Sequence, residues 1–70
     1  MKTISELTGK EYETEECHFF GNAKQSAAYR LWGAELIDLI VTDEMRWIFV
    51  FRKSDHVKYK DRWNCLGKLS

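Results

Sequence analysis

A chain of 70 residues makes one small domain, because at that size folding buries only about 60% of the surface that the unfolded chain exposes. With 44% apolar and 14% aromatic residues the composition is that of a folded domain, and no run approaches the ~20 apolar residues of a membrane span. The net charge is zero, but residues 1–44 carry four basic against nine acidic groups and residues 45–70 seven basic against two acidic, an asymmetry that a compact fold is expected to neutralise internally.

Residues 1–14 are polar, with Ile4, Leu7 and Tyr12 as the large apolar positions. Ile4 and Leu7 have helical spacing, Ser5 can cap and Gly9 would stop the turn, so a flexible segment or a short helix is expected. Gly9-Lys10 lacks the upstream glycine and the strand that a phosphate-binding loop needs. The carboxylates Glu11, Glu13, Glu15 and Glu16 read as a solvated stretch that would keep an extended edge from pairing with other molecules. No signal-type apolar segment follows Met1–Glu6, and a cytoplasmic protein is expected.

Residues 15–70 read as a single β-α-β-β-α domain. Glu16 to Phe20 is a short strand ended by Gly21. Asn22, with Gln25 three positions on, marks a helix start, and the helix is expected over Ala23 to Trp32 with Gly33 as its stop. Ala23, Ala27, Ala28, Leu31 and Trp32 form the stripe that would let it lie close on a sheet. Leu36–Val41 and Trp47–Phe51 are the longest β-favouring apolar runs, joined by the polar turn Thr42–Arg46. Alternation leaves both faces of this hairpin apolar, so something must cover each. A second helix is expected over residues 56–66, capped by Ser54 or Asp55, with His56, Tyr59, Trp63 and Leu66 as its apolar stripe and Gly67 as its stop. The order implies an α+β fold: a right-handed strand-helix-strand crossover, then an antiparallel strand. It would be a three-stranded mixed sheet with both helices packed on one face and the other face open.

Chemistry-bearing residues are sparse. Cys17 and Cys65 are expected as free thiols and are too few for a zinc site, and neither His18 nor His56 has metal-ligand spacing with a cysteine. His18 and Asp38 would form a structural hydrogen bond if the strand register placed them on one face. No nucleophile or acid–base motif is present, and so small a domain has little room for a cleft of ~300 Å³ or more. The chain therefore reads as a non-enzyme without catalytic residues, cofactor, metal or small-molecule substrate.

The aromatic first strand, the Asn22-capped helix with Ala28 to Leu31, Gly33, and the hairpin ending in Phe49-Val50-Phe51 before a charged helix together resemble small β-α-β-β-α domains of unknown function. Those domains are encoded by phages and mobile elements of Gram-positive bacteria. The resemblance covers residues 17–66 and implies a cytoplasmic accessory protein that modulates a host factor.

Two functional expectations follow. The first is a protein-interaction module that self-associates as a homodimer or binds a host protein through the uncovered sheet face or an edge, using Arg46, Trp47, Phe49, Phe51 and Arg52. The second is single-stranded nucleic-acid binding, with Trp47, Phe49 and Phe51 stacking bases and Arg46, Arg52 and Lys53 holding phosphates. A neutral chain without an RNP-type motif fits it less well.

Overall fold

The computed structural model describes the backbone of residues 1–69 and the side chains of residues 1–66. In chain order the elements are β1 (Lys2–Ile4), β2 (Glu11–Glu13), a 3-10 turn (Thr14–Glu16), β3 (Cys17–Phe20), α1 (Ala23–Leu31), β4 (Asp38–Val41), β5 (Trp47–Arg52) and α2 (Lys53–Leu69). The fold is α+β, as expected, but it holds two sheets: the hairpin β1–β2 and a three-stranded sheet in the order β3-β5-β4. Both pairings in the larger sheet are antiparallel, with Phe19 opposite Val50 and Asp38 also opposite Val50.

The mixed sheet expected from the crossover is therefore corrected. β3 and β4 do run in the same direction, but β5 lies between them. The reason is in β5 itself. Its sequence WIFVFR is apolar on both faces, and the central position is the one in which both edges are paired while both faces can be covered. Phe51 and Val50 are fully buried on opposite faces of this one strand.

α1 and α2 pack on the Phe51 face, where Tyr29, Ala34, Phe51 and Tyr59 form the main core with Phe20, Trp32, Leu36, Phe49 and Trp63 around it. Asn22 caps α1 by accepting the Gln25 N–H at 3.1 Å. The Gln25 side chain does not complete the box. It donates instead to the Tyr29 hydroxyl at 2.8 Å, one turn on. The alanine stripe is likewise corrected: the buried positions of α1 are Ser26 and Tyr29, whereas Leu31 is 85% exposed. One tyrosine that reaches Phe51, Phe20 and Tyr59 outweighs several alanines in apolar area, and it sets the rotation of the helix. Gly33, at φ +107°, turns the chain out of α1, and the Ala34 N–H returns to the Tyr29 carbonyl at 2.9 Å. α2 begins directly after β5 at Lys53 and continues through Gly67, so neither the expected cap at Ser54 or Asp55 nor the glycine stop is used. Tyr59 ties it to α1 by donating to the Trp32 carbonyl at 2.8 Å, and the Arg62 guanidinium lies 4.4 Å above the Trp32 ring.

The Val50 face, expected to be open, is partly closed by the N-terminal segment. Residues 1–14 carry a strand at each end, and β1 and β2 pair antiparallel, with Thr3 opposite Tyr12. This hairpin brings Tyr12 against Cys17, Ile37 and Val50. Its anchor is Asp38, 2% exposed, whose carboxylate accepts the Tyr12 hydroxyl at 2.8 Å and the N–H groups of Glu6 at 3.0 Å and Leu39 at 2.8 Å. Ser5 does act as a cap, its hydroxyl accepting the N–H groups of Leu7 and Thr8 while lying 2.7 Å from the Ile37 carbonyl oxygen to which it donates. Burial alone would raise the Asp38 pKa, but the donors from Tyr12, Leu39, Ser5 and Glu6 outweigh it and hold the carboxyl below its ordinary value. The same burial and bond push the Tyr12 phenol up to about 12.

A carboxylate whose pKa falls on folding contributes stability above its unfolded value and loses it as the pH drops through the folded one. Acid titration below about pH 4 is therefore expected to release the N-terminal hairpin. Tyr12→Phe should cost about 1–2 kcal/mol in chemical denaturation at neutral pH, and Asp38→Asn should flatten the acid limb of the stability curve. An unchanged acid limb in Asp38→Asn would show that this carboxylate does not anchor the hairpin.

Candidate functional site at the open end of the hairpin

Coverage of the sheet runs out at the end where β4 turns into β5. The turn is built by Thr42, whose N–H donates to the Arg46 carbonyl at 2.9 Å and whose hydroxyl accepts the Arg46 N–H at 3.1 Å. Met45 sits at φ +62°, a left-handed conformation that costs a non-glycine residue about 1–2 kcal/mol. Its side chain is exposed. Immediately beyond the turn, Val41 and Trp47 stand opposite each other across the strands. They are 45% and 55% exposed, although they lie on the same face as the buried Phe51. On the other face the next pair, Ile40 and Ile48, is half-buried, and Phe19 on β3 is 38% exposed.

An open concavity of about 1200 Å³ lies against Trp47, its lining including Gly21, Ala23, Phe49, Asp43 and Arg46. Its size exceeds what the chain length suggested, because it is a surface depression between the β3–α1 turn and the hairpin rather than an enclosed cleft. Gly21 allows this approach: a Cβ there would stand 3.3 Å from the Trp47 carbonyl oxygen. Arg46 is exposed and lies 3.5 Å from Glu44, so the rim carries both signs of charge.

Of the five residues expected to meet a partner, Arg46, Trp47 and Phe49 gather here, with Phe49 half-buried in the wall. Phe51 is 0% exposed and belongs to the core, out of a partner's reach. Arg52 is exposed at the far end of β5, about 17 Å along a six-residue strand, where it donates to Glu35 at 2.9 Å. The stacking platform of three aromatics is thus not formed, since one of its rings is interior. Val41 and Gly21 join the site unforeseen. Their part depends on strand register and on the close approach of two loops, neither of which the sequence encodes locally. Met45, an apolar residue in a polar turn, was visible as a signal.

The other candidates fall elsewhere. Cys17 is buried in β3, where burial pushes its thiol up, and Cys65 is exposed on α2. His18 shares the Phe51 face and Asp38 the Val50 face, so the two cannot meet. Among the described residues no group of three or more His, Cys, Asp or Glu side chains could hold a metal ion, and no helix is long and apolar enough to cross a membrane. The two charged halves of the chain meet in the pairs Arg52–Glu35 and Arg46–Glu44. Among the described residues, Lys53, Lys58, Lys60 and Arg62 of α2 have no carboxylate within 4.0 Å, so neutralisation by direct contact is confined to the hairpin and its neighbours.

No family model matches this chain, and no curated protein and no solved structure does either.

Trp47 and Phe51, two positions of one strand face, are expected to separate cleanly. Phe51→Ala should cost about 3–5 kcal/mol and leave the domain largely unfolded by circular dichroism, whereas Trp47→Ala should cost no more than about 1 kcal/mol. Equal losses for the two would mean that Trp47 is part of the core.

Proposed function

We propose that this protein is a small non-enzymatic interaction module that docks another protein through the open end of its hairpin. The observation that carries this reading is the Val41–Trp47 pair, half-exposed beside the turn in a sheet whose central strand buries Val50 on one face and Phe51 on the other. An aromatic with low rotamer entropy, flanked by an arginine and by apolar neighbours on both faces of the strand, is the composition that dominates interface hot spots. The partner is a second copy of the chain or a host protein, the latter in keeping with the resemblance to accessory domains of phages and mobile elements. A cytoplasmic setting goes with that reading.

Sedimentation of the wild-type chain across a dilution series, repeated with Trp47→Glu, tests it. A concentration-dependent dimer that Trp47→Glu abolishes while remaining folded is the expected result for self-association. For a host partner the expected result is a monomer that retains one protein stoichiometrically from the native host and loses it in Trp47→Glu. A monomer that retains nothing, or that retains the same protein with Glu at position 47, overturns the proposal.

A further inference from the structure

Beneath α2, three polar side chains meet at the edge of the aromatic core, the two imidazoles half-buried and the phenol buried. His56 of α2 stacks on His18 of β3 with ring centroids 3.7 Å apart and planes 14° from parallel. Its Nδ1 lies 3.0 Å from the hydroxyl of Tyr29, the fully buried tyrosine of α1. That hydroxyl also accepts from Gln25 Nε2 at 2.8 Å. A phenol has one proton, and with Gln25 Nε2 donating to its oxygen the arrangement that satisfies all three groups sends the Tyr29 proton to His56 Nδ1. The network thus assigns His56 as neutral, with its own proton on Nε2.

The groups facing His56 offer nothing to hold a positive charge. From β3 come the His18 ring and Phe20, from α1 Tyr29 and Gln25, and along α2 Lys60 adds a like charge. Among the described residues no carboxylate lies within 4.0 Å of either imidazole, Asp55 beside His56 included. We propose that His18, His56 and Tyr29 form an acid-sensitive latch that holds α2 against β3 and α1 when neutral and loosens it on protonation.

A proton on His56 Nδ1 removes the lone pair that accepts from Tyr29 and places a cation in a half-buried site beside Lys60. A second proton, on His18, would then stack two like charges face to face. Consistent with this, burial, the His18 ring and Lys60 hold His56 below its ordinary value. The sign follows. The unfolded chain binds the proton near pH 6.5 and the folded chain only at lower pH, so the latch is whole above that value and is lost as the pH falls through the folded one. Between there and about pH 4, where Asp38 still holds the N-terminal hairpin, the helical face would loosen while the opposite face stays closed.

The test is a pH titration of the full chain by NMR, following the His18 and His56 ring signals and α2 amide exchange, alongside thermal unfolding at pH 7.5 and 5.0. In the wild type His56 is expected to titrate below 6.5, with α2 amides exchanging faster in the same step. Each extra proton bound by the unfolded chain shifts the folding constant up to about tenfold per pH unit. His56→Gln keeps an acceptor for Tyr29 but takes no proton, and His18→Phe keeps a stacked ring without the second charge. Both are expected to lose less stability than the wild type between pH 7.5 and 5.0. The proposal is overturned if His56 titrates at or above 6.5, if α2 exchange does not follow it, or if both variants lose as much as the wild type. If neither variant folds, the wild-type titration and exchange decide alone.

Discussion

A strand that is apolar on both sides dominates this small fold. Trp47–Arg52 has Phe49 and Phe51 on one face and Ile48 and Val50 on the other, and an antiparallel strand of that kind cannot leave either face in water. It therefore takes the centre of the sheet, with β3 and β4 paired to its two edges. Everything else is a means of covering it. Two helices close the Phe51 face, and a second, two-stranded sheet closes much of the Val50 face.

The two coverings use different chemistry. On the helical side large aromatic rings meet at 5.5 to 5.9 Å, and Tyr29, which touches Phe51, Phe20 and Tyr59, sets the geometry. The N-terminal hairpin contributes little apolar area, since Ile4 and Leu7 point to solvent. It is held by a buried carboxylate, and a buried carboxylate stabilises only when donors surround it; Asp38 accepts from Glu6, Tyr12 and Leu39. The cover ends before the hairpin does, and the Val41–Trp47 end is what remains.

The elements with local signals were legible. Asn22 caps α1, Gly33 ends it, Thr42–Arg46 is the turn of the hairpin, and both apolar faces of β5 are buried at its centre. The N-terminal strands were not legible, because Lys2–Ile4 and Glu11–Glu13 carry no β-favouring apolar run and become strands only by pairing with each other. The mixed sheet failed for a related reason. Chain order fixes which elements follow one another, not which strands are neighbours. The candidate site was half legible: Arg46, Trp47 and Phe49 lie around one concavity, but alternation alone cannot say where along a strand burial stops.

What the sequence by itself determined is the α+β composition, the positions of helix caps and turns, and the existence of a hairpin that must be covered twice. These follow from interactions between residues a few positions apart. Only the tertiary structure decided that β5 is central, that Asp38 anchors the N-terminal hairpin and does not bond His18, and that Phe51 is interior while Trp47, four residues earlier, is open. Each depends on contacts between segments far apart in the chain. The energy of those contacts is settled by how much surface the other elements have left to cover.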